Sequence, residues 1–304
     1  MPARPTGAGV VERAMAEFLQ FLFSGITVGA VYAMVALGFT IIYNAYGVIN
    51  FAQGEFVMLG GMGTVFIAAA GVPLPVAAVL AVVVAALVGV ALNRLAIEPA
   101  RGASVVTLII ITVGASIFLR GVAQVAFDRQ FHRLPSFSGD APIRVGGATL
   151  LPQSLWVIGG AAVIVVALYL FFNRTMLGKS VLATSFNRLA AQLVGINVKR
   201  VLTLSFGLSA AIGAVAGILV TPITFTSYDV GIMLALKGFA SAILGGMGHP
   251  IGAVVGGFVV GVAESMAAGY LSSQYKDAVA FLIILAVLFL MPRGLFGRAV
   301  TERV

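Results

Sequence analysis

The sequence predicts an all-α membrane protein, a polytopic transmembrane helical bundle, and three observations carry that expectation. Only 9% of the 304 residues are charged while 61% are apolar, against about a quarter charged in soluble domains. Mean hydropathy is +1.11, and the apolar residues collect in runs long enough to cross a bilayer core of about 30 Å as helices. None of the runs shows the apolar–polar alternation that a membrane β-barrel requires. The 37 glycines fit the same class, because small residues let membrane helices approach closely. With no cysteine in the chain, disulfides, thiolate metal sites and cysteine nucleophiles are excluded together.

Taken in order, spans are expected near 17–43, 54–70, 73–93, 103–127, 153–173, 201–221, 232–247, 251–271 and 277–291, within one transmembrane domain covering 17–298. Residues 1–16, with Arg4, Glu12 and Arg13, are expected to form a polar N-terminal tail. The run after them is too long for a signal peptide and lacks a small-residue cleavage site, so the first helix is expected to be retained. Segments 54–70 and 232–247 are short, glycine-interrupted and each holds an ionisable residue. Those are the marks of broken or re-entrant helices lining a cavity, so eight and nine crossings both fit.

The formal charge of +8, from 18 basic and 10 acidic residues, reads as topology rather than nucleic-acid binding, because Lys and Arg are retained on the cytoplasmic side. Loop 174–200 carries Arg174, Lys179, Arg188, Lys199 and Arg200 with no acid, and is the expected cytoplasmic anchor. Arg94, Arg101, Arg293, Arg298 and the C-terminal tail 299–304 are expected on the same side. Loop 128–152 mixes Asp128, Arg129, Arg133, Asp140 and Arg144 with prolines and glycines, and one crossing away it should face outward. An internal echo suggests a repeat: Leu59-Gly60-Gly61-Met62-Gly63 recurs as Leu244-Gly245-Gly246-Met247-Gly248, each copy preceded by a glycine-rich span.

Motifs for enzymatic chemistry fail on inspection. Leu177-Gly178-Lys179-Ser180 resembles the end of a phosphate-binding loop, but Asn173 stands where its first glycine belongs and no strand precedes it. His132 and His249 lie apart from acids at metal-ligand spacing, and read as a solvated loop residue and a turn residue before Pro250. No Ser or Thr has a His–Asp setting. What remains are Glu55, Arg120, Lys237 and Glu264, ionisable residues inside apolar stretches. Each costs about 3 kcal/mol or more at a bilayer centre, so each should meet a cavity, a partner or another charge. Arg120 is also long enough to snorkel to the interface. Glu55 and Lys237 fall just before the two echo copies, and a two-fold arrangement would pair them on a central pathway. Gly252, Gly256, Gly257 and Gly261 have Gly-x-x-x-Gly spacing and suit helix packing. Within the basic loop, Leu189 to Asn197 reads as a short helix ended by Gly195, docked either on another protein or on lipid headgroups.

Several stretches resemble the LivH-type permeases of branched-chain amino-acid ABC importers, from about residue 18 to 298. They are Gly29-Ala30-Val31-Tyr32-Ala33 with Leu37-Gly38, Val48-Ile49-Asn50-Phe51-Ala52-Gln53-Gly54-Glu55, Ser116-Ile117-Phe118-Leu119, Leu193-Val194-Gly195-Ile196-Asn197, Leu244-Gly245-Gly246-Met247-Gly248, Gly261-Val262-Ala263-Glu264, and Tyr275-Lys276-Asp277 through Met291-Pro292-Arg293-Gly294. The resemblance implies an ABC-importer permease fold, no enzymatic activity, and no cofactor in this chain, with ATP and Mg bound by partner subunits. The implied partners are a second homologous permease, two ATP-binding subunits and a periplasmic solute-binding protein, in the bacterial inner membrane. Ala190, Ala191 and Gly195 would belong to the coupling helix that fits a groove on the ATP-binding subunit, with Leu189 in place of the usual acid. Asn50, Gln53, Glu55, Lys237 and Glu264 would line the substrate pathway. Gln53 stands where the family commonly has His, and Arg120 where Gln is frequent. The family also carries urea, short amides and organic acids. Transport could instead be ion-coupled or channel-like, with Glu55, Lys237 and Glu264 as the coupling site.

Overall fold

Each apolar run becomes a helix, because backbone in hydrocarbon must satisfy its N–H and C=O groups within one segment. The computed structural model describes residues 7–100, 102–291 and 293–297. Arg101, Arg298 and the tail 299–304 lie outside the described residues. Among those described, the helices are α1 (Gly7–Tyr46), α2 (Gln53–Ala69), α3 (Leu74–Leu92) with a π-helical turn at Asn93–Ile97, α4 (Val105–Ala126), α5 (Pro152–Arg174), α6 (Met176–Phe186), α7 (Arg188–Leu193), α8 (Val198–Thr224), α9 (Val230–Gly245), α10 (Pro250–Tyr270) and α11 (Lys276–Leu290). Seven helical stretches are long and apolar enough to cross a membrane, while α2 and α9 are shorter apolar helices of 17 and 16 residues. Both short helices run unbroken through their glycines; the breaks lie at their ends, in 47–52 before α2 and at Gly246–His249 after α9.

Two ends of the bundle are defined by contacts. At one, the loop 128–152 forms a hairpin of β1 (Ile143–Val145) and β2 (Ala148–Leu150), turned at Gly146 and Gly147, whose φ values of 58° and 82° suit the right-handed strand twist. This hairpin meets α1, where Gln20 Oε1 accepts from the Thr149 amide (2.7 Å) and hydroxyl (2.9 Å). Helix α1 therefore starts within the stretch expected as a polar tail, and its early turns have a partner. A backbone bridge between His132 and Thr226 ties the same loop to the α8–α9 connection. At the opposite end lie α6, α7, the π-helical turn and residues 293–297. There Arg188 donates to the Ala45 carbonyl (2.6 Å), Lys199 pairs with Glu98 (3.4 Å), and Asn44 donates to the Gly248 carbonyl (2.9 Å). The amides of Leu295 and Phe296 donate to the carbonyls of Leu244 and Gly245.

The helix pairings repeat when α1–α4 are exchanged with α8–α11. Helix α1 packs on α10 as α8 packs on α3; α1 on α9 as α8 on α2; and α2–α3 and α2–α4 have their counterparts in α9–α10 and α9–α11. Because α1 and α8 run antiparallel, with Gly38 beside Ser209 and Tyr46 beside Phe206, the two halves are inverted. The Leu-Gly-Gly-Met-Gly echo is a different matter. Its first copy is mid-helix in α2, whereas the second ends α9 and places Gly246 and Gly248 at φ 98° and 91°. The same five letters therefore serve close packing in one half and chain reversal in the other.

Candidate functional site

Helices α2 and α9 carry ionisable side chains into the bundle, and their first turns meet backbone to backbone. A Cβ at Gly54 would overlap the Gly231 carbonyl, and one at Gly231 the Gly54 carbonyl. Asn50 builds the start of α2: its Oδ1 accepts from the Ala52 amide (3.1 Å) and its carbonyl from the Gln53 amide (3.1 Å), the local turn chemistry that Asn favours. Its Nδ2 is buried without a partner. Gln53 is fully buried and joins two neighbouring helices, with Ser209 Oγ of α8 2.6 Å from its Oε1 and 2.8 Å from the Gly38 carbonyl of α1. Its Nε2 donates to the Ser209 carbonyl (3.2 Å). The amide is thus spent on packing.

The expected pairing of Glu55 with Lys237 is not what forms. Lys237 Nζ lies 2.6 Å from Glu264 Oε1 on α10 and 2.6 Å from Asp277 Oδ1 on α11. The Tyr32 hydroxyl donates to Glu264 Oε2 (2.7 Å), and Nζ lies 5.6 Å from the centroid of the Tyr32 ring. Lys237 extends from α9 toward α1, α10 and α11, while Glu55 extends from α2 toward α4, so each finds an opposite charge within its own half of the fold.

Glu55 accepts from Ser116 Oγ (2.7 Å), and the same Oε1 lies 3.3 Å from Arg120 Nε. Arg120 therefore serves as a charge partner inside the bundle, with its side chain 27% exposed. Glu55 Oε2 and Arg120 Nε are both buried and make no hydrogen bond, which in a native interior is uncommon. Beside them on the same two helices lie Met58, Met62 and Ala123, all buried, with Leu59, Phe66, Phe127, Tyr228 and Val230 packed around. Among the described residues no group of three or more His, Asp or Glu could hold a metal.

Glycines of α10 divide between two neighbours. Gly252 and Gly256 face the backbone of α9 at Gly245 and Ser241, and Gly257 and Gly261 face α1 at Ala33 and Gly29. His249 caps α10, accepting from the Gly252 amide (3.0 Å) through Nδ1. In the loop 128–152, His132 Nε2 lies 2.9 Å from Asp128 Oδ1, and this hydrogen bond holds the Asp128 carboxyl below the usual range.

The basic loop folds as α6 and α7. Gly178 and Lys179 sit in the first turn of α6, where Thr175 Oγ1 accepts from the Gly178 amide (3.0 Å), so that motif is a helix cap. Asn187 caps α7 by accepting from the Ala190 amide (3.0 Å), and Gly195 stops it with φ 86°. Ala191 is buried beneath α7, whereas Phe186, Leu189, Leu193 and Val194 are each more than 70% exposed. A cleft of about 680 Å³ adjoins α7, lined by Tyr46, Arg188, Gln192, Ile196 and Lys199 among others.

Four residues gain a role only in the folded structure. Tyr32, Ser116 and Ser209 look like ordinary span residues, and Asp277 looks interfacial because it opens a span. Tyr32, Ser116 and Asp277 fall within the stretches that resemble the permease family, but only a three-dimensional pairing gives any of the four a role.

Short buried helices bearing paired charges within inverted halves are the architecture of a multi-pass membrane transport protein. A profile of the family described as branched-chain amino acid transport system / permease component matches residues 21–288, and the chain belongs to that family. It is 35% identical to the high-affinity branched-chain amino acid transport system permease protein LivH of Escherichia coli K12, with 94% of this chain and 98% of that protein covered. BraD, the corresponding permease protein of Pseudomonas aeruginosa, is 32% identical over 95% of this chain and 98% of its own length. The ribose import permease protein RbsC of E. coli is 26% identical, with coverages of 88% and 84%. Among solved structures, PsaBC from Streptococcus pneumoniae in complex with Fab superposes with a TM-score of 0.51 at 16% identity, covering 91% of this chain and 96% of that one; the likeness is one of fold. The family consists of membrane permease components, so the chain is a transport subunit and not a catalytic enzyme.

Proposed function

We propose that the chain is the membrane-spanning subunit through which an ATP-driven importer passes branched-chain amino acids into the cytoplasm across the bacterial inner membrane. The observation that carries this is the exposed apolar face of α7, held on a basic end of a bundle whose family is that of such permeases. The end bearing α6 and α7 faces the cytoplasm, in keeping with retention of Lys and Arg there. Leu189, Leu193 and Val194 dock on an ATP-binding subunit, with Ala190, Ala191 and Gly195 shaping the helix that fits its groove. The assembly comprises this chain, a second homologous permease, two ATP-binding subunits and a periplasmic solute-binding protein that delivers substrate at the hairpin end. Movement imposed on α7 by the ATP-binding subunits alternates outward and inward opening. Asn50 and Glu55 border the pathway, and Gln53, Lys237 and Glu264 hold α2 and α9 beside it.

Purification from native membranes tests the assembly. The wild-type chain should bring a second permease and ATP-binding proteins; Leu193→Glu and Gly195→Arg should lose the latter and keep the former. Reconstituted with its partners, the wild type should take up leucine only with both ATP and the binding protein. Uptake by the chain alone without ATP would overturn the reading.

A further inference from the structure

The two buried charge clusters differ in one respect that bears on substrate. Around Lys237 every charged group has its counter-charge within 2.6 Å, whereas between α2 and α4 Arg120 Nε lies 3.3 Å from Glu55 Oε1 without a hydrogen bond and Glu55 Oε2 is buried with no hydrogen-bond partner. We infer that Glu55 and Arg120 form a binding site for the α-amino and α-carboxylate groups of a zwitterionic amino acid, with Met58 and Met62 receiving its side chain.

Charge balance at the pair favours a zwitterion. An α-ammonium inserted at Glu55 Oε2 and an α-carboxylate at the Arg120 guanidinium close a ring of four alternating charges with no net change. A substrate carrying only an amine or only an acid would leave one buried charge uncompensated, which a low-dielectric site rejects. Arg120 suits the carboxylate because its planar fork offers parallel N–H donors. Ser116, now donating to Glu55 Oε1, keeps that carboxylate oriented when Arg120 turns to the ligand.

Helical spacing supplies the rest. Met58 and Met62 follow Glu55 by three and seven residues, and Ala123 follows Arg120 by three, so the apolar cluster adjoins the charged pair on the same two faces. Methionine is unbranched and adapts its shape, which accommodates leucine, isoleucine and valine alike. In this conformation the cluster is closed, with Met58 and Met62 fully buried. Among the described helices α4 packs chiefly on α2 and the π-helical turn, so an outward displacement of α4 opens the site.

This inference rests on the importer reading, and its test separates the two. The whole complex, without its binding protein, is placed in nanodiscs and leucine binding is followed by saturation-transfer NMR. Leucine should bind, while leucinamide and 4-methylpentanoate, each lacking one charge of the zwitterion, should compete at least tenfold more weakly. Arg120→Gln and Glu55→Gln should each weaken leucine binding at least tenfold, Arg120→Lys less, and Met58→Ala should narrow the preference for leucine over alanine. Equal competition by the two analogues in the wild type, or unchanged leucine affinity in a folded Arg120→Gln complex, overturns the site while ATP-dependent leucine uptake leaves the importer reading standing. Absence of that uptake from the wild-type assembly would instead remove the reading itself.

Discussion

Lys237 and Glu55 occupy comparable places in the two inverted halves: each lies on the short helix of its half and reaches the fourth helix, Asp277 on α11 and Arg120 on α4. Their surroundings diverge. The Lys237 ammonium has two carboxylates at 2.6 Å and an aromatic face, and the second oxygen of Glu264 has the Tyr32 hydroxyl. Four helices are joined by that cluster, and little of it is left for a ligand. The Glu55 pair joins two helices through an ion contact of 3.3 Å that is not a hydrogen bond, and leaves Glu55 Oε2 without a partner. A saturated cluster holds structure, whereas one whose base is 27% exposed and whose acid keeps an oxygen without a partner has capacity left for a ligand.

The largest effect should follow from Lys237→Met, which strands Glu264 and Asp277 against one another. Removing one partner of a buried ion pair costs about 3–5 kcal/mol, so the purified variant should unfold well below the wild type in a fluorescence-monitored thermal scan. A triple variant with Glu264→Gln and Asp277→Asn should recover much of the loss, because no uncompensated charge remains. A single variant as stable as the wild type would show that the cluster is not the anchor described.

Much of this comparison could be read from the chain, and the missing part has a physical cause. Hydropathy located the spans and the two short helices, and the cost of charge in hydrocarbon singled out Glu55, Arg120, Lys237 and Glu264. Partner choice was not legible, because it depends on which face of α2 or α9 turns toward which neighbour. Gly54 and Gly231 set that orientation through a backbone contact that leaves no periodic trace. The pentapeptide echo misled about equivalence, since a glycine pair fits equally well in a packed helix and at a reversal with positive φ. Asp277 lies in a stretch that resembles the family, but its pairing is not legible there because an acid in the first turn of a helix already has a sufficient reason in the helix dipole.

A smaller effect on stability should distinguish the other cluster. Arg120→Gln leaves Ser116 bonded to Glu55 and keeps a polar side chain of similar reach, and because Arg120 is 27% exposed where Lys237 is 7% exposed, its cost should be well below that of Lys237→Met although buried Glu55 loses its base. The same thermal scan that shows a large loss for Lys237→Met should show a shift of only a few degrees here. A loss as large as that of Lys237→Met would make both clusters anchors and abolish the contrast.

The smallest effect belongs to Asp128 and His132, where a charge contact lies at the surface and water replaces much of what is lost. The hydrogen bond from His132 keeps the Asp128 carboxyl below its ordinary range, so the folded loop binds a proton at Asp128 less readily than the unfolded chain does. Its contribution is present above the unfolded carboxylate value of about 4 and disappears as pH falls through the folded one. Hydrogen exchange at the His132 and Thr226 amides, which bridge the loop to the α8–α9 connection, should therefore lose protection on acidification below about pH 4, beyond the intrinsic pH dependence of exchange. Asp128→Asn should lower protection at neutral pH and remove that additional acid-dependent step, with leucine uptake unchanged near neutrality. An acid step of the same size in Asp128→Asn would assign it to another group and leave the loop 128–152 held by its backbone bridge alone.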